Sequence, residues 1–492
     1  MTDSDKHINI TELTHVIVIC VLGIIAYHNT LGAPFTFDGF SSIVENKYVK
    51  DLNCFFNLHM ISHGDYGLRS RYVGYFTFAL NYWFSGLNVM SYHIVNILIH
   101  ITNALLLYRM IHLITKAPFF SDFTDHKSIG TLAFFASAFF VVHPIQTQAV
   151  TYIVQRFESL STTFYLVSII YYIKLRTNLT GRCVFCFIVS LVSSILAMKT
   201  KEIAFTIPII IVLFEYLFIT VKSKKRLFIL LPIILLILLI PLTLVNGDIM
   251  RIIHSYGNAK TVKMSHYNYV ITQFPVMLTY FKLLFIPTNL NLDYDYPIYK
   301  SFFQFKVLAG FITVASIITI ALYLIYLSRK MVGTEKYYLR LFSFGMLWFF
   351  ITLSVESGLV PLDDVIFEHR LYLPSIGFFI ALFSILEAFA INKQIRIFFS
   401  EKRKEAALAI LIILLCIATV ERNKVWQSDV TLWEDTVKKS PDKWRCRYIL
   451  SKAYTSAGRY DTAVVELEKA VRLSPNSFRS YSNHGNIYLK PL

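Results

Sequence analysis

Asp38 is the first residue of the chain whose type and place could do chemistry. It stands in GAPFTFDGFSSIVEN, a few residues beyond the first apolar run, with Phe35, Phe37 and Phe40 around it. A carboxylate held beside apolar groups at an interface takes a raised pKa, and it can serve as a general base where a hydrogen-bonding partner tunes it. Asp38-Gly39 also reads as a turn pair. Cations recur at comparable depth: Arg156 with Glu158 in QRFE, Lys199, Lys201 and Glu202 in AMKTKEIAF, and Arg370 after Glu368 and His369 in FEHRLYLPSIGF. Each alone reads as a side chain snorkelling at the end of a span. Several cations converging on one face suggest an anionic head group, and phosphate suits Arg and Lys together. Lys201 and Arg370 are the strongest pair for that role.

Two further groups are less decided. His143 closes an apolar run just before Pro144, and Asp293 and Asp295 alternate with Tyr294 and Tyr296. Paired carboxylates among aromatics suit sugar or cation binding, and a solvated loop fits equally well. His93, Asn96, His100 and Asn103 fall near one helix face in YHIVNILIHITN. Histidines at this spacing can hold a metal, but no carboxylate or cysteine joins them, so interhelical hydrogen bonding is the reading taken. The chain carries no phosphate-cradling glycine loop, nucleophile elbow or zinc-protease motif.

The elements that must position these groups are helices in a bilayer. Of 492 residues, 55% are hydrophobic and only 16% charged, and mean hydropathy is +0.54. Soluble domains are about 25% charged. The apolar residues come in runs of about 14–21, near the length that crosses a hydrocarbon core. Spans are expected at 13–31, 89–108, 129–142, 160–173, 183–198, 203–221, 227–245, 307–327, 341–355, 371–390 and 406–420. The first reads as a span rather than a cleaved leader, since no basic segment precedes it. The fold class is therefore an all-α polytopic membrane protein with about eleven transmembrane helices.

The net charge of +16 lies mostly in short loops, which favours orientation and anionic lipid over nucleic acid. Two stretches, 75–87 and 267–286, are apolar but carry polar residues. Four basic clusters, around Arg176, Lys224, Arg340 and Lys404, share one side only if neither stretch crosses, so both are expected to lie along the surface as interfacial or re-entrant helices. The N-terminus is then cytoplasmic, and the tail and the long loops lie on the outer or luminal face. The six cysteines form no framework; Cys183 and Cys186 read as packing, and Cys54 and Cys446 could pair only if folding joins them.

The tail, 422–492, reads as a separate module from the membrane domain of 1–421. Leu450, Tyr454, Gly458, Ala463, Ala470 and Pro475 fall at tetratricopeptide spacing, and Pro441 and Pro475 stand 34 residues apart, one repeat length. Such repeats build grooves that hold peptides or partner helices.

FTFDGFSSIVEN, LNYWFSGLNVMSYHIVNILIHITNALL, HPIQTQAVTYIVQRFE, KTKEIAF and EHRLYLPSIGF, in that order before a repeat tail, resemble the transmembrane and tetratricopeptide-repeat-containing proteins of the GT-C superfamily of lipid-dependent glycosyltransferases. The resemblance implies an inverting transfer of a sugar from a polyprenyl-phosphate carrier to a hydroxyl, often Ser or Thr of a protein. It implies an acid in the first outer loop as base, at Asp38, with the lipid phosphate held by Lys201 and Arg370, then Arg156, near Glu202 and His369. Asp293, Asp295 and His143 are the candidates on the acceptor and sugar side. Neither cofactor nor divalent metal is expected, because Lys and Arg can stabilise a leaving phosphate. The family pattern has two adjacent acids, whereas Gly39 follows Asp38 here. That departure keeps a second reading open, a membrane-anchored repeat scaffold for envelope or secretory proteins. A transporter would need broken helices with polar groups at mid-span, and Glu387, near one span end, gives it little support. The short tail tilts the expected membrane toward a bacterial inner membrane rather than the endoplasmic reticulum.

Overall fold

A computed structural model describes residues 10–57, 66–177, 181, 183–219, 235, 264–358, 361–391 and 401–475. The longer helices run in chain order α1 (Ile10–Tyr27), α2 (Tyr72–Ser85), α3 (Val89–Ile114), α4 (His126–Val142), α5 (Arg156–Thr177), α6 (Cys183–Met198) and α7 (Ile207–Phe218). They continue as α8 (His266–Phe285), α9 (Phe305–Ser328), α10 (Glu335–Leu353), α11 (Tyr372–Ile391) and α12 (Glu401–Lys424). The tail adds α13 (Asp429–Lys439), α14 (Trp444–Ser456) and α15 (Tyr460–Leu473). No strand occurs among the described residues.

Their starts follow from side chains that satisfy the first free backbone N–H groups. Asn88, Asp125 and Ser265 cap α3, α4 and α8, and Ser428 caps α13 in a reciprocal box with Thr431. Between α10 and α11 the backbones nearly touch. A Cβ on Gly345 would lie 2.4 Å from the Gly377 carbonyl oxygen, and one on Gly377 equally close to that of Gly345. Small residues permit this approach where lipid offers helices no hydrophobic drive to associate.

Among the described residues, four helices are long and apolar enough to cross a membrane: Ile10–Thr30, Val89–Ile114, Phe305–Ser328 and Glu368–Ile391. The bent pair His126–Val142 and Pro144–Val150 makes a fifth if it is one span. The other expected runs are helical but fall short by length or charge. α6 has 16 residues and α7 has 12, and α5 and α12 carry charges at their ends. The expected span at 227–245 lies, Leu235 apart, outside the described residues.

The two ambiguous stretches, α2 and α8, meet the ends of other helices. The Tyr269 hydroxyl donates to the Glu356 carbonyl (2.6 Å), the Tyr280 hydroxyl to that of Phe367 (3.1 Å), and His143 Nε2 to that of Leu284 (3.1 Å). Those partners stand just after α10, just before α11 and just after α4. In α2, the Val73 N–H donates to the Lys199 carbonyl (3.0 Å) and the Thr77 carbonyl accepts from Arg156 (3.3 Å). Both helices therefore lie across one end of the bundle, here called the polar end. Among the described residues, basic residues of the short loops stand at the other end, where Lys404 pairs with Glu387 (2.7 Å), Arg176 pairs with Glu215, and Arg340 donates to the Leu217 carbonyl (3.0 Å).

The repeat module sits on the polar end. Lys439 reaches the Leu290 carbonyl (2.8 Å), and the Ser440 hydroxyl reaches that of Asp293 (2.8 Å). Leu450, Ala463, Leu467 and Ala470 are buried between α14 and α15, and Gly458, at φ +73°, turns the chain between them. A left-handed turn of this kind suits glycine. Cys446 lies against Asp293, and Cys54 against Asp51, so they do not pair.

Candidate active site

The loop after α1 presents Asp38 by two local devices. Phe37 adopts φ +46°, a left-handed conformation that costs a bulky residue about 1–2 kcal/mol. A π-helical turn at Phe40–Val44 follows, a feature frequent at functional sites. Packing compensates for the strain: Phe37 meets Trp433 of α13 edge-on at 5.6 Å, and the Asp38 N–H donates to the buried Tyr152 hydroxyl at 2.8 Å.

Asp38 opens onto a cavity of about 610 Å³. The loop contributes Phe37, Phe40 and Glu45 to its wall, and the repeat module contributes Asp429, Trp433 and Tyr448. The Asp38 side chain is exposed to this cavity while protein encloses it on the remaining sides. That enclosure raises its pKa above the ordinary aspartate range, and the Tyr152 hydroxyl and the positive charge of Arg445 partly offset the rise. A carboxyl tuned upward yet open to a cavity has the character of a general base. Among the described residues, no group of three or more His, Cys, Asp or Glu is arranged to hold a metal.

Beside this cavity, two cations of the repeat module join two loops of the membrane domain. Arg445 binds both oxygens of Asp293 (2.7 and 2.8 Å) and both of Asp364 (2.9 Å each). Lys443 binds Asp293 (2.5 Å) and Asp364 (3.0 Å). Burial alone would raise the Asp364 pKa, but Arg445 and Lys443 outweigh it and hold the group below the ordinary aspartate range. The Arg445 guanidinium also lies 5.7 Å from the centre of the Phe37 ring. Sequence reasoning missed Arg445, Lys443, Asp364 and Tyr152. Charges on a repeat helix ordinarily face solvent, and the two loops that meet Arg445 are far apart in sequence.

A second ionic layer adjoins the first. Lys201 is buried between Glu158 and Glu356, the latter at 2.7 Å. Glu202 takes a two-point contact from Arg71 (3.1 and 3.2 Å). Arg370 donates to the Asp364 carbonyl (2.9 Å) and lies 5.4 Å from the Phe367 ring centre, while its Nη1 is buried with no hydrogen-bond partner among the described residues. Arg370 is thus less neutralised than Lys201, because it meets a carbonyl and rings where Lys201 meets two carboxylates. His369 is tied by its N–H and its ring to Gln148 (2.8 and 3.2 Å).

Three predicted site residues have other employment. Arg156 is fully buried and donates to Asn96 (2.7 Å), Asn81 (2.6 Å) and the Thr77 and Tyr92 carbonyls (3.3 and 3.1 Å), with its plane over Phe78. Each of its three nitrogens is engaged within the protein, so its role here is to join α2, α3 and α5. His143 accepts from the Ile145 N–H (3.2 Å) with Nδ1 while Nε2 holds the Leu284 carbonyl, which leaves it a cap rather than a sugar ligand. Asp293 and Asp295 part company. Asp293 is buried in the Arg445–Lys443 joint, whereas Asp295 is exposed. On the polar face of α3, His93 bonds to the Ala33 carbonyl of the loop after α1 (2.9 Å), while His100 and Asn103 bond between helices as expected, to the Tyr372 hydroxyl (2.7 Å) and the Ser159 carbonyl (2.8 Å).

A tetratricopeptide repeat model matches residues 452–490. A nematode protein, "Protein O-mannosyl-transferase F38B6.6" of Caenorhabditis elegans, is 27% identical over 94% of this chain and 63% of its own length. "Protein O-mannosyl-transferase Tmtc3" of Drosophila melanogaster is 26% identical over 97% of this chain and 57% of its own, and human "Protein O-mannosyl-transferase TMTC3" is 24% identical over 98% and 53%. The chain is similar to protein O-mannosyl-transferases. The resemblance drawn from the loops and the tail agrees with these names, and the glycosyltransferase reading agrees with them too. The chain spans between 53% and 63% of the length of these relatives. They are animal proteins. No solved structure matches the chain.

Proposed function

We propose that this chain moves a sugar, of the mannose kind named in its relatives, from a polyprenyl-phosphate carrier to a Ser or Thr hydroxyl of a protein. Asp38 is the base. The observation that supports this best is the cavity itself, which opens on Asp38 and is walled jointly by the first loop and the repeat module. A peptide held by the repeats would reach Asp38 with its hydroxyl. The hydroxyl oxygen attacks C1 from the face opposite the phosphate, the C1–O bond to phosphate breaks with its electron pair on the phosphate, and the proton passes to Asp38. Configuration at C1 inverts. Arg370 offers the leaving phosphate its unpartnered Nη1, while Lys201 and Arg71 hold the surrounding carboxylates in place. Such fixed cations stabilise a leaving charge without reorganisation.

The crossing of eleven spans belongs to the same proposal, with α2 and α8 lying along the polar end and that end facing the periplasm or lumen. The test is transfer of radiolabelled polyprenyl-phosphate sugar in membranes carrying wild-type protein or Asp38→Asn at equal level. Loss of a base is expected to cost about 10²–10⁴-fold. Equal transfer by both would move the base elsewhere. Transfer by neither, across several sugars, would favour the scaffold reading, to which Gly39 in place of a second acid lends support.

A further inference from the structure

A cavity of about 980 Å³ lies at the end of the bundle opposite Asp38. Its wall is made by the first turns of α1, the last turns of α3 and the first turns of α4. Arg109, Lys116, Lys127 and Lys174 bring four positive charges to it, against Glu12 and Glu405, and Lys127 is paired with Glu401 at 3.9 Å. Arg109 and Lys116 are exposed and make no ion pair with a carboxylate among the described residues. The remaining wall is ordered and aromatic. His15 stacks on Phe134 at 4.5 Å and shares a hydrogen bond with the Tyr108 hydroxyl (3.1 Å). His112 packs edge-on against Tyr108 at 4.7 Å, and its Nε2 is buried with no partner among the described residues.

We infer that this cavity binds a phosphate monoester. Uncompensated Arg and Lys together with an imidazole nitrogen form a donor set for phosphate oxygens, and excess positive charge at a helix-bundle end marks lipid head-group sites. The apolar surface around it fits an acyl chain. Leu13, Ile17, Val21 and Ile24 of α1 are exposed at spacings of three and four residues, and they form a stripe leading away from the cavity. The same chemistry could come from a membrane lipid or from a soluble phosphate ester, and the experiment separates the two.

The full chain is reconstituted in phosphatidylcholine nanodiscs with or without phosphatidic acid, a lipid monoester, and retained lipid is counted by native mass spectrometry. Glycerol 3-phosphate is the soluble competitor. Arg109→Gln with Lys116→Gln is compared with Arg329→Gln and Lys330→Gln, two basic residues near the same end but outside the cavity. Both substituted positions in the cavity are exposed, and unfolding temperature checks that the fold survives. Wild type is expected to retain phosphatidic acid over phosphatidylcholine, and the cavity variant to lose about tenfold of that preference, as expected when about 1.4 kcal/mol of charged contact is removed. Displacement by glycerol 3-phosphate at similar concentration assigns the site to a soluble ligand. No preference by wild type for either probe, or an equal loss in the outside variant, overturns the inference.

Discussion

Replacing Arg445 with Gln tests whether the repeat module is a detachable adaptor or part of the active site. Arg445 makes four charged contacts of 2.7–2.9 Å to Asp293 and Asp364. Removing one partner of a buried pair costs about 3–5 kcal/mol. Here Arg445 is 27% exposed while Asp293 is 1% exposed, and Lys443 stays on Asp293. Solvent screening and the remaining lysine bring the expected cost to about 2 kcal/mol, about thirtyfold in the docked population of the module. A second effect follows at Asp38. Arg445 holds the Asp38 pKa down against burial, so without it that pKa rises further. The base is then deprotonated only at higher pH, and the acidic limb of the transfer profile moves upward. The assay is transfer to a peptide and to a small hydroxyl acceptor across pH, beside limited proteolysis of the tail. If the module only presented protein, deleting 425–492 would spare the small acceptor. The structure predicts that both acceptors suffer, since Trp433 and Tyr448 wall the cavity. An unchanged pH limb and unchanged proteolysis in Arg445→Gln, with small-acceptor transfer intact after deletion, would refute this reasoning.

Four other outcomes are expected. Gly39→Asp should restore adjacent acids: the backbone is helical there (φ −60°) and the nearest atom to a new Cβ is Phe35 Cβ at 3.7 Å, so the side chain fits, but Gly39 is buried and a polar group placed there should cost about 1–3 kcal/mol, read from the unfolding midpoint. Transfer should rise, and a fall would show that the second acid is unwanted here. Arg156→Met should cost at least about 3 kcal/mol, measured by thermal unfolding, because two Asn side chains and two carbonyls lose their donor, whereas Arg370→Gln should fold and raise the KM for donor. Acid should loosen the module. The depressed pKa of Asp364 gives stability that is full above the unfolded aspartate value of about 3.9 and is lost as pH falls through the lower folded value. Tail proteolysis that is insensitive to pH across that window would exclude Asp364 as the acid-labile link.

Arg156 and Arg445 show why the site was only half legible in the sequence. Each is an arginine near aromatics, and local pattern cannot rank them. Arg156 stands in a run of membrane character, where a cation suggests function. Its partners Asn81 and Asn96 lie on α2 and α3, and only packing reveals that together they saturate it. Arg445 stands on a repeat helix, where a charge suggests solvent, and only packing places it on two distant aspartates. The elements were easier to read because their signals are local. Apolar runs marked the helices, tetratricopeptide spacing marked α14 and α15, and polar residues set α2 and α8 apart from the uninterrupted apolar runs. Asp38 was legible for the same reason, as an acid among aromatics just past a span. Its surroundings were not legible, because half of them come from residues nearly 400 positions later. The buried joint therefore gives the membrane domain and the repeats a shared fate: whatever loosens Asp293 from Arg445 also reopens the wall of the cavity in which Asp38 stands.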